Sequence, residues 1–207
     1  MVTSLLSTAD AHEVEAAIAR VEQGTSAQLV VAVLPRSHDH WQGRVLGAFA
    51  WSLGAAAALA YFCPAISLFS ALALELVVAA LSFALLGVPA LHRSLVSPAQ
   101  ADRAAHARAF QVFAEHGLYG TKRRAALLIF VSELERRVVL LGDATIHAEL
   151  GQSGWQTEVD RLIARIREGR LKDGLLEVIA ALEPKLHAVA PHQPGDTNEI
   201  PDAVLRA

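Results

Sequence analysis

VLGAFAWSLGAAAALAYFCPAISLFSALALELVVAALSFALLGVP, residues Val45 to Pro89, decides how the rest of the chain is read. Between Arg44 and His92 the ionisable side chains are Tyr61, Cys63 and Glu75. A helix that crosses a bilayer needs about 20 apolar residues. This block is too long for one crossing and long enough for two. Pro64 lies near its middle, followed by Ala65-Ile66-Ser67. Proline lacks a backbone donor and disfavours helical backbone in the residue before it. The block therefore reads as a transmembrane helical hairpin over 45–89, with helices from about Val45 to Cys63 and from about Leu68 to Pro89. The other home for such a block is the core of a large soluble domain. Helices there carry a polar face, and these have almost none. Glu75 is the exception. A carboxylate in hydrocarbon is costly; two turns past the loop, it is expected to reach the interface or to be protonated rather than to relay protons.

The flanking charges orient the hairpin. Arg36 and Arg44 precede it, Arg93, Arg103 and Arg108 follow it, and the loop from Pro64 to Ser67 has no Lys or Arg. Positive flanks stay inside, so both termini are expected in the cytoplasm of a multi-pass protein of the plasma (inner) membrane. Two crossings also leave the flanking segments on one side, free to fold together. The N-terminus has neither a basic region nor a long apolar run, and no cleavable signal peptide is read there. Of the 207 residues 53% are hydrophobic and 19% charged, with a formal net charge of -3. That balance does not suggest nucleic-acid binding, which wants a basic surface. A single cysteine, Cys63, excludes an intramolecular disulfide.

Outside the hairpin the pattern is α/β. Val14, Ala17, Ile18 and Val21 recur at helical spacing, which predicts a helix over Ala9–Gly24 capped by Thr8 or Asp10. Ala27 to Leu34 is a β-branched run closed by Pro35, a buried strand. Ser97-Pro98 opens a helix predicted over Ala99–His116. Arg124 to Ser132 is apolar on both faces, and Val138 to Leu141 returns after a turn at Glu133-Leu134-Glu135. A strand apolar on both faces wants cover on both. Helices are predicted over Trp155–Glu168 and Leu171–Val189, separated by Gly169. The pattern gives a split domain, 9–34 plus 96–189, and a polar, proline-rich tail over 190–207. Ile200 and Val204 are apolar within that tail, so it is expected to dock on the domain or on a partner.

Candidate chemistry is sparse. His38-Asp39-His40 lacks further ligands at a recognisable zinc spacing and reads as a polar linker. Lys122, Arg123, Arg124, Arg136 and Arg137 are expected either to gather near one sheet end, where arginine forks suit phosphate or carboxylate, or to form a solvated rim paired with Glu133 and Glu135. Asp143 lies just past a strand, a position favoured for sites and equally for turns. Asp143, Arg136 and Arg137 are the catalytic candidates. Thr121, Lys122, Arg123 and Arg124 are the anion-binding candidates. No cofactor and no metal are expected.

Several short motifs resemble the TPM domain family. Phe110 lies on the helix before Gly117-Leu118; Thr121 and Arg123-Arg124 follow. Then come Leu127-Leu128-Ile129, Val131-Ser132, Glu135-Arg136-Arg137-Val138 and Gly142-Asp143. Trp155, Gly169, Gly174-Leu175 and the stretch Asn198-Glu199-Ile200-Pro201-Asp202 complete the likeness, and Glu13 to Leu34 also fits it. The resemblance implies a three-layer αβα sandwich around a small mixed sheet of about four strands, here with an inserted transmembrane helical hairpin. It also implies a loose range of functions: phosphatase activity, calcium binding, or assembly and repair of membrane complexes. Many members of that family carry acidic or amide residues in the loop before the central strand. Here that loop is Gly120-Thr121-Lys122-Arg123-Arg124, which repels the hard cations that oxygen ligands attract. The expected function is a binding or assembly module whose partners are the lipid bilayer and a membrane-associated protein. The alternative is a phosphohydrolase or metal-dependent enzyme on the same fold.

Overall fold

The computed structural model describes residues 6–37, 41–63, 65–86, 97–121, 123, 125–150, 155–193 and 199–206, with the backbone alone at 41–44 and 150. The chain divides into two units: Met1–His38 with Ala99–Ala207, and Asp39–Pro98.

The first unit is a mixed α/β fold on a four-stranded sheet. Its opening helix α1 runs Thr8–Glu22. The cap is Ser7, one residue before the expected position. Ser7 Oγ accepts from the Asp10 amide at 3.1 Å while Asp10 reaches back to the Ser7 amide at 3.2 Å, a reciprocal capping box. Strand β1, Gln28–Leu34, is buried along its whole length. Strand β2, Ala126–Ser132, lies parallel to it in register from Gln28↔Ala126 to Leu34↔Ser132. Strand β3, Arg137–Gly142, returns antiparallel, with Ser132 opposite Arg137 and Leu127 opposite Gly142. Parallel neighbours need a long crossover, and the β1–β2 crossover is where the sequence carries the apolar hairpin.

Period-2 alternation sorts the strand side chains onto two faces. Leu29, Val31 and Val33 of β1, with Leu127, Ile129 and Val131 of β2, join one core. That core is closed by α1, by α6 (Gln156–Arg167) and by α7 (Leu171–Val189). Val30, Ala32 and Leu34, with Ala126, Leu128 and Phe130, join the other. Its cover is α4, Pro98–Glu115, whose small Ala105 and Ala109, with Val112, are buried in that core. Gly174 lies at a close approach between α6 and α7: a Cβ there would lie 2.7 Å from that of Arg165.

Three features differ from the sequence reading. A seven-residue helix α5, Ala144–Leu150, follows β3 directly. The turn between β2 and β3 extends to Arg136, which takes left-handed backbone with φ 51°. The end of the chain docks on the domain, one of the two places expected for its apolar Ile200 and Val204, but it does so by adding a strand that the sequence pattern did not show. Leu205–Arg206 forms strand β4, parallel to β1 through Ala32↔Leu205 and Val33↔Arg206. The sheet order is β3-β2-β1-β4. Val204 is buried, its amide donates to Glu15 Oε1 at 3.1 Å, and the amides of Glu199 and Ile200 both donate to Gln28 Oε1 at 3.0 and 3.1 Å. A polar side chain at the start of a buried strand thus satisfies two donors of the returning chain.

The second unit is a helical hairpin of α2, Trp41–Phe62, and α3, Leu68–Leu85. Ser67 caps α3 by accepting from the Ser70 amide at 3.2 Å. Within these helices Val45–Phe62 has mean hydropathy 1.7 and Leu68–Leu85 has 2.3. Phe69 is 85% exposed and Leu76 73%. Pro64 and Pro89, used to parse the block, lie outside the described residues, as do His38, Asp39 and His40.

Candidate functional site

One group of polar residues of the α/β unit, Ser37, Ser132, Glu133 and Glu135, lies at the end of the sheet where the parallel strands β1 and β2 finish, the end at which open α/β sheets place ligands and contacts. Pro35 stops β1, yet the backbone pairing continues. The Glu133 amide donates to Leu34 O and the Leu134 amide to Pro35 O, both at 3.0 Å. Glu135 then acts as a clasp. One of its carboxylate oxygens accepts from the Ser37 amide at 3.2 Å and from the Ser132 hydroxyl. Two residues on, Arg137 Nε lies 2.8 Å from Asp102 Oδ1 of α4. With Asp102 half exposed this pair is worth at most about 1 kcal/mol, so it positions more than it stabilises.

These contacts pin two particular points. Ser37 is the last described residue before the chain leaves the α/β unit, and Asp102 lies in the first turns of the helix on which it returns. Glu135 in the β2–β3 turn accepts from the first, and Arg137, which opens β3, forms an ion pair with the second. Arg136, between them, has left-handed backbone, which is uncommon outside glycine. It aims the turn so that its neighbours serve both connections. Asp102 and Ser37 were not singled out in the sequence, and Glu135 and Ser132 were read there only as turn, rim and motif residues; each is an ordinary polar residue until the strand order brings it here.

The basic residues do not gather. Arg123 lies before the start of β2 and Arg136 and Arg137 follow its end. At about 3.3 Å per residue, a seven-residue strand separates them by roughly 20 Å. Lys122 and Arg124 lie outside the described residues. Asp143 is also at the far end: its amide donates to Ala126 O at 2.8 Å, whereas Arg137 pairs with Ser132. Asp143 and Arg137 therefore do not share one catalytic site.

At that far end Asp143 Oδ1 accepts from the Ala144 amide at 2.7 Å, starting α5, and its Oδ2 is buried. The Arg123 carbonyl accepts from Thr145 Oγ1 at 3.3 Å, so the loop carrying Thr121 runs beside α5. Thr121 is buried. A buried carboxylate oxygen at the same end opposes an anion there. Among the described residues no three of His, Cys, Asp and Glu are placed to hold a metal ion.

A separate polar cluster secures the returning chain. Glu22, at the end of α1, accepts from the Leu29 amide at 2.7 Å. Burial pushes its carboxyl up to about 8, aided by the Asp202 carboxyl beside it and opposed by the Leu29 amide. Glu15 is held below its ordinary value, first by the Val204 amide and then by His12 and Arg206.

No family model and no curated protein matches this chain. Its fold is similar to the NMR structure of BA42 protein from the psychrophilic bacterium Bizionia argentinensis sp. nov.. The TM-score is 0.62, over 100% of this chain and 99% of that one, at 16% sequence identity. At that identity the likeness establishes a shared α/β fold and nothing about activity.

Proposed function

We propose that this protein is a membrane-anchored binding and assembly module. The hairpin crosses the plasma (inner) membrane twice, and the α/β unit, a three-layer αβα sandwich of the TPM type, sits at the cytoplasmic surface to contact another membrane-associated protein. The observation that carries this reading is the pair of long apolar helices with uncovered faces, Val45–Phe62 and Leu68–Leu85, the second with no residue buried. Eighteen residues at 1.5 Å each reach about 27 Å, close to the hydrocarbon thickness. In water an apolar surface of this kind demands a partner phase. The clasp at Glu135 and Arg137 adds to it, because it ties both connections to one end of one sheet.

Two measurements test the proposal. Membranes washed with alkaline carbonate are expected to retain the protein, and deletion of residues 41–86 is expected to release it. The purified protein in detergent is expected to leave a generic phosphate ester intact, while a pull-down from solubilised membranes recovers a defined partner. Hydrolysis abolished by Asp143→Asn with the fold unchanged would reject binding as the whole account.

A further inference from the structure

Glu75 does not lie on the outer face of the hairpin. It is half-buried and lines an open groove of about 340 Å³ between α2 and α3, beside Ala55, Ala58, Leu59 and Val78, with the Cys63 thiol as the other polar group. It stands seven residues into α3, so about 10 Å from the start of that helix along its axis. The side chain therefore points into a cleft whose α2 wall includes two alanines. Small residues let another helix backbone approach closely within a bilayer. A carboxylate at such depth is expensive unless it is paired.

The sequence narrows what pairs with it. Neither Val45–Phe62 nor Leu68–Leu85 contains Lys, Arg, His, Asn or Gln. A second copy of these two spans brings another carboxyl and no cation. Charge complementarity thus favours a different chain.

Resting on the reading that the hairpin crosses a bilayer, we propose that this groove seats a transmembrane helix of another protein, carrying a basic side chain at the level of Glu75. The alanines admit its backbone and the carboxylate fixes its depth and rotation. The hairpin is then a recognition element as well as an anchor.

The test uses the full-length protein in phosphatidylcholine liposomes and two fluorescent Leu-Ala helical peptides of about 22 residues. One carries a single Lys near its centre and the other Leu at the same place. Association is read by energy transfer to a dye on the α/β unit, and by cross-linking a thiol-reactive group on the peptide to Cys63. The lysine peptide is expected to associate about threefold to thirtyfold more tightly, the scale of one interhelical polar pair. Glu75→Leu is expected to erase the preference, and Ala58→Phe to weaken both peptides by filling the groove. Equal association of the two peptides, or a lysine preference that survives Glu75→Leu, overturns the proposal. So does a homodimer linked through Cys63 that excludes the peptide. If alkaline carbonate strips the protein from the liposomes, the membrane reading itself has failed. If the protein stays embedded without a lysine preference, only this inference has.

Discussion

A fragment of residues 99–207 is expected not to fold. It keeps β2, β3 and four of the helices of the α/β unit, yet lacks β1, the strand between β2 and β4. Five β1 side chains are buried Val or Leu: Leu29, Val30, Val31, Val33 and Leu34. At about 1.5–3 kcal/mol each they contribute about 8–15 kcal/mol, comparable with the entire net stability of a domain, about 5–15 kcal/mol. The loss is larger still, because β4 has no partner without β1 and β2 gains an unpaired edge. Circular dichroism under urea is expected to show no cooperative transition for the fragment alone. Adding a peptide of residues 1–37 is expected to restore one. Cooperative unfolding of the fragment by itself would mean that the first helix and strand are accessories.

Docking of the returning chain is expected to weaken as pH rises from about 5 to 8. The Glu22 carboxyl has an ordinary value of 4.5 and is raised to about 8 in the folded chain. Release of the segment removes the Asp202 carboxyl and lowers the Glu22 value, so within that window the docked state holds proton that the released state has lost, and docking weakens with increasing pH. The limit is one proton, or about tenfold in the docking equilibrium per pH unit. Glu15 acts oppositely. Its lowered value, set first by the Val204 amide, gives a contribution that is present above its ordinary 4.5 and lost on acidification. The other charged groups around the segment, His12 and Arg206 beside Glu15 and Asp202 beside Glu22, set the size of the effect and not its sign. Docking is therefore expected to be tightest at mildly acidic pH. Hydrogen exchange at the Ile200 and Val204 amides, corrected for intrinsic base catalysis, reads this directly. Glu22→Gln is expected to flatten the alkaline limb and leave the acidic one. An alkaline limb that persists in Glu22→Gln would assign it to another group.

The elements legible in the sequence are those whose own period or composition declares them. The stripe of α7 spans several helical repeats, and the apolar runs of β1 and β2 and the apolar block of the hairpin are long and unbroken enough to stand out by composition. The missed elements are short or depend on distant partners. Ala144–Leu150 is only two turns, too brief for a helical stripe to stand out. Leu205–Arg206 is a strand only because Ala32 and Val33 present an open edge to it. The candidate site suffered in the same way. The spacing of Arg123 and Arg136 says nothing about which strand ends adjoin, so their placement at opposite ends had to come from the topology. The Glu135 clasp was read only as a possible ion-pair partner in a solvated rim. Its role depends on Ser37, nearly a hundred positions earlier, reaching the same turn. Gln28 offered a usable signal: a lone polar residue opening an otherwise apolar buried strand asks what its side chain satisfies.

The proposed function requires the hairpin to be a two-span anchor with both flanks on one side of the membrane. Paired reporter fusions test this most directly, one at Ala207 and one inserted after Ala65 in the hairpin loop. A reporter active only outside the cytoplasm is expected to be silent at Ala207 and active at Ala65, with a cytoplasmic reporter giving the reverse. Strong external activity at Ala207 would contradict the orientation, and cytoplasmic activity at both positions would contradict the spans themselves.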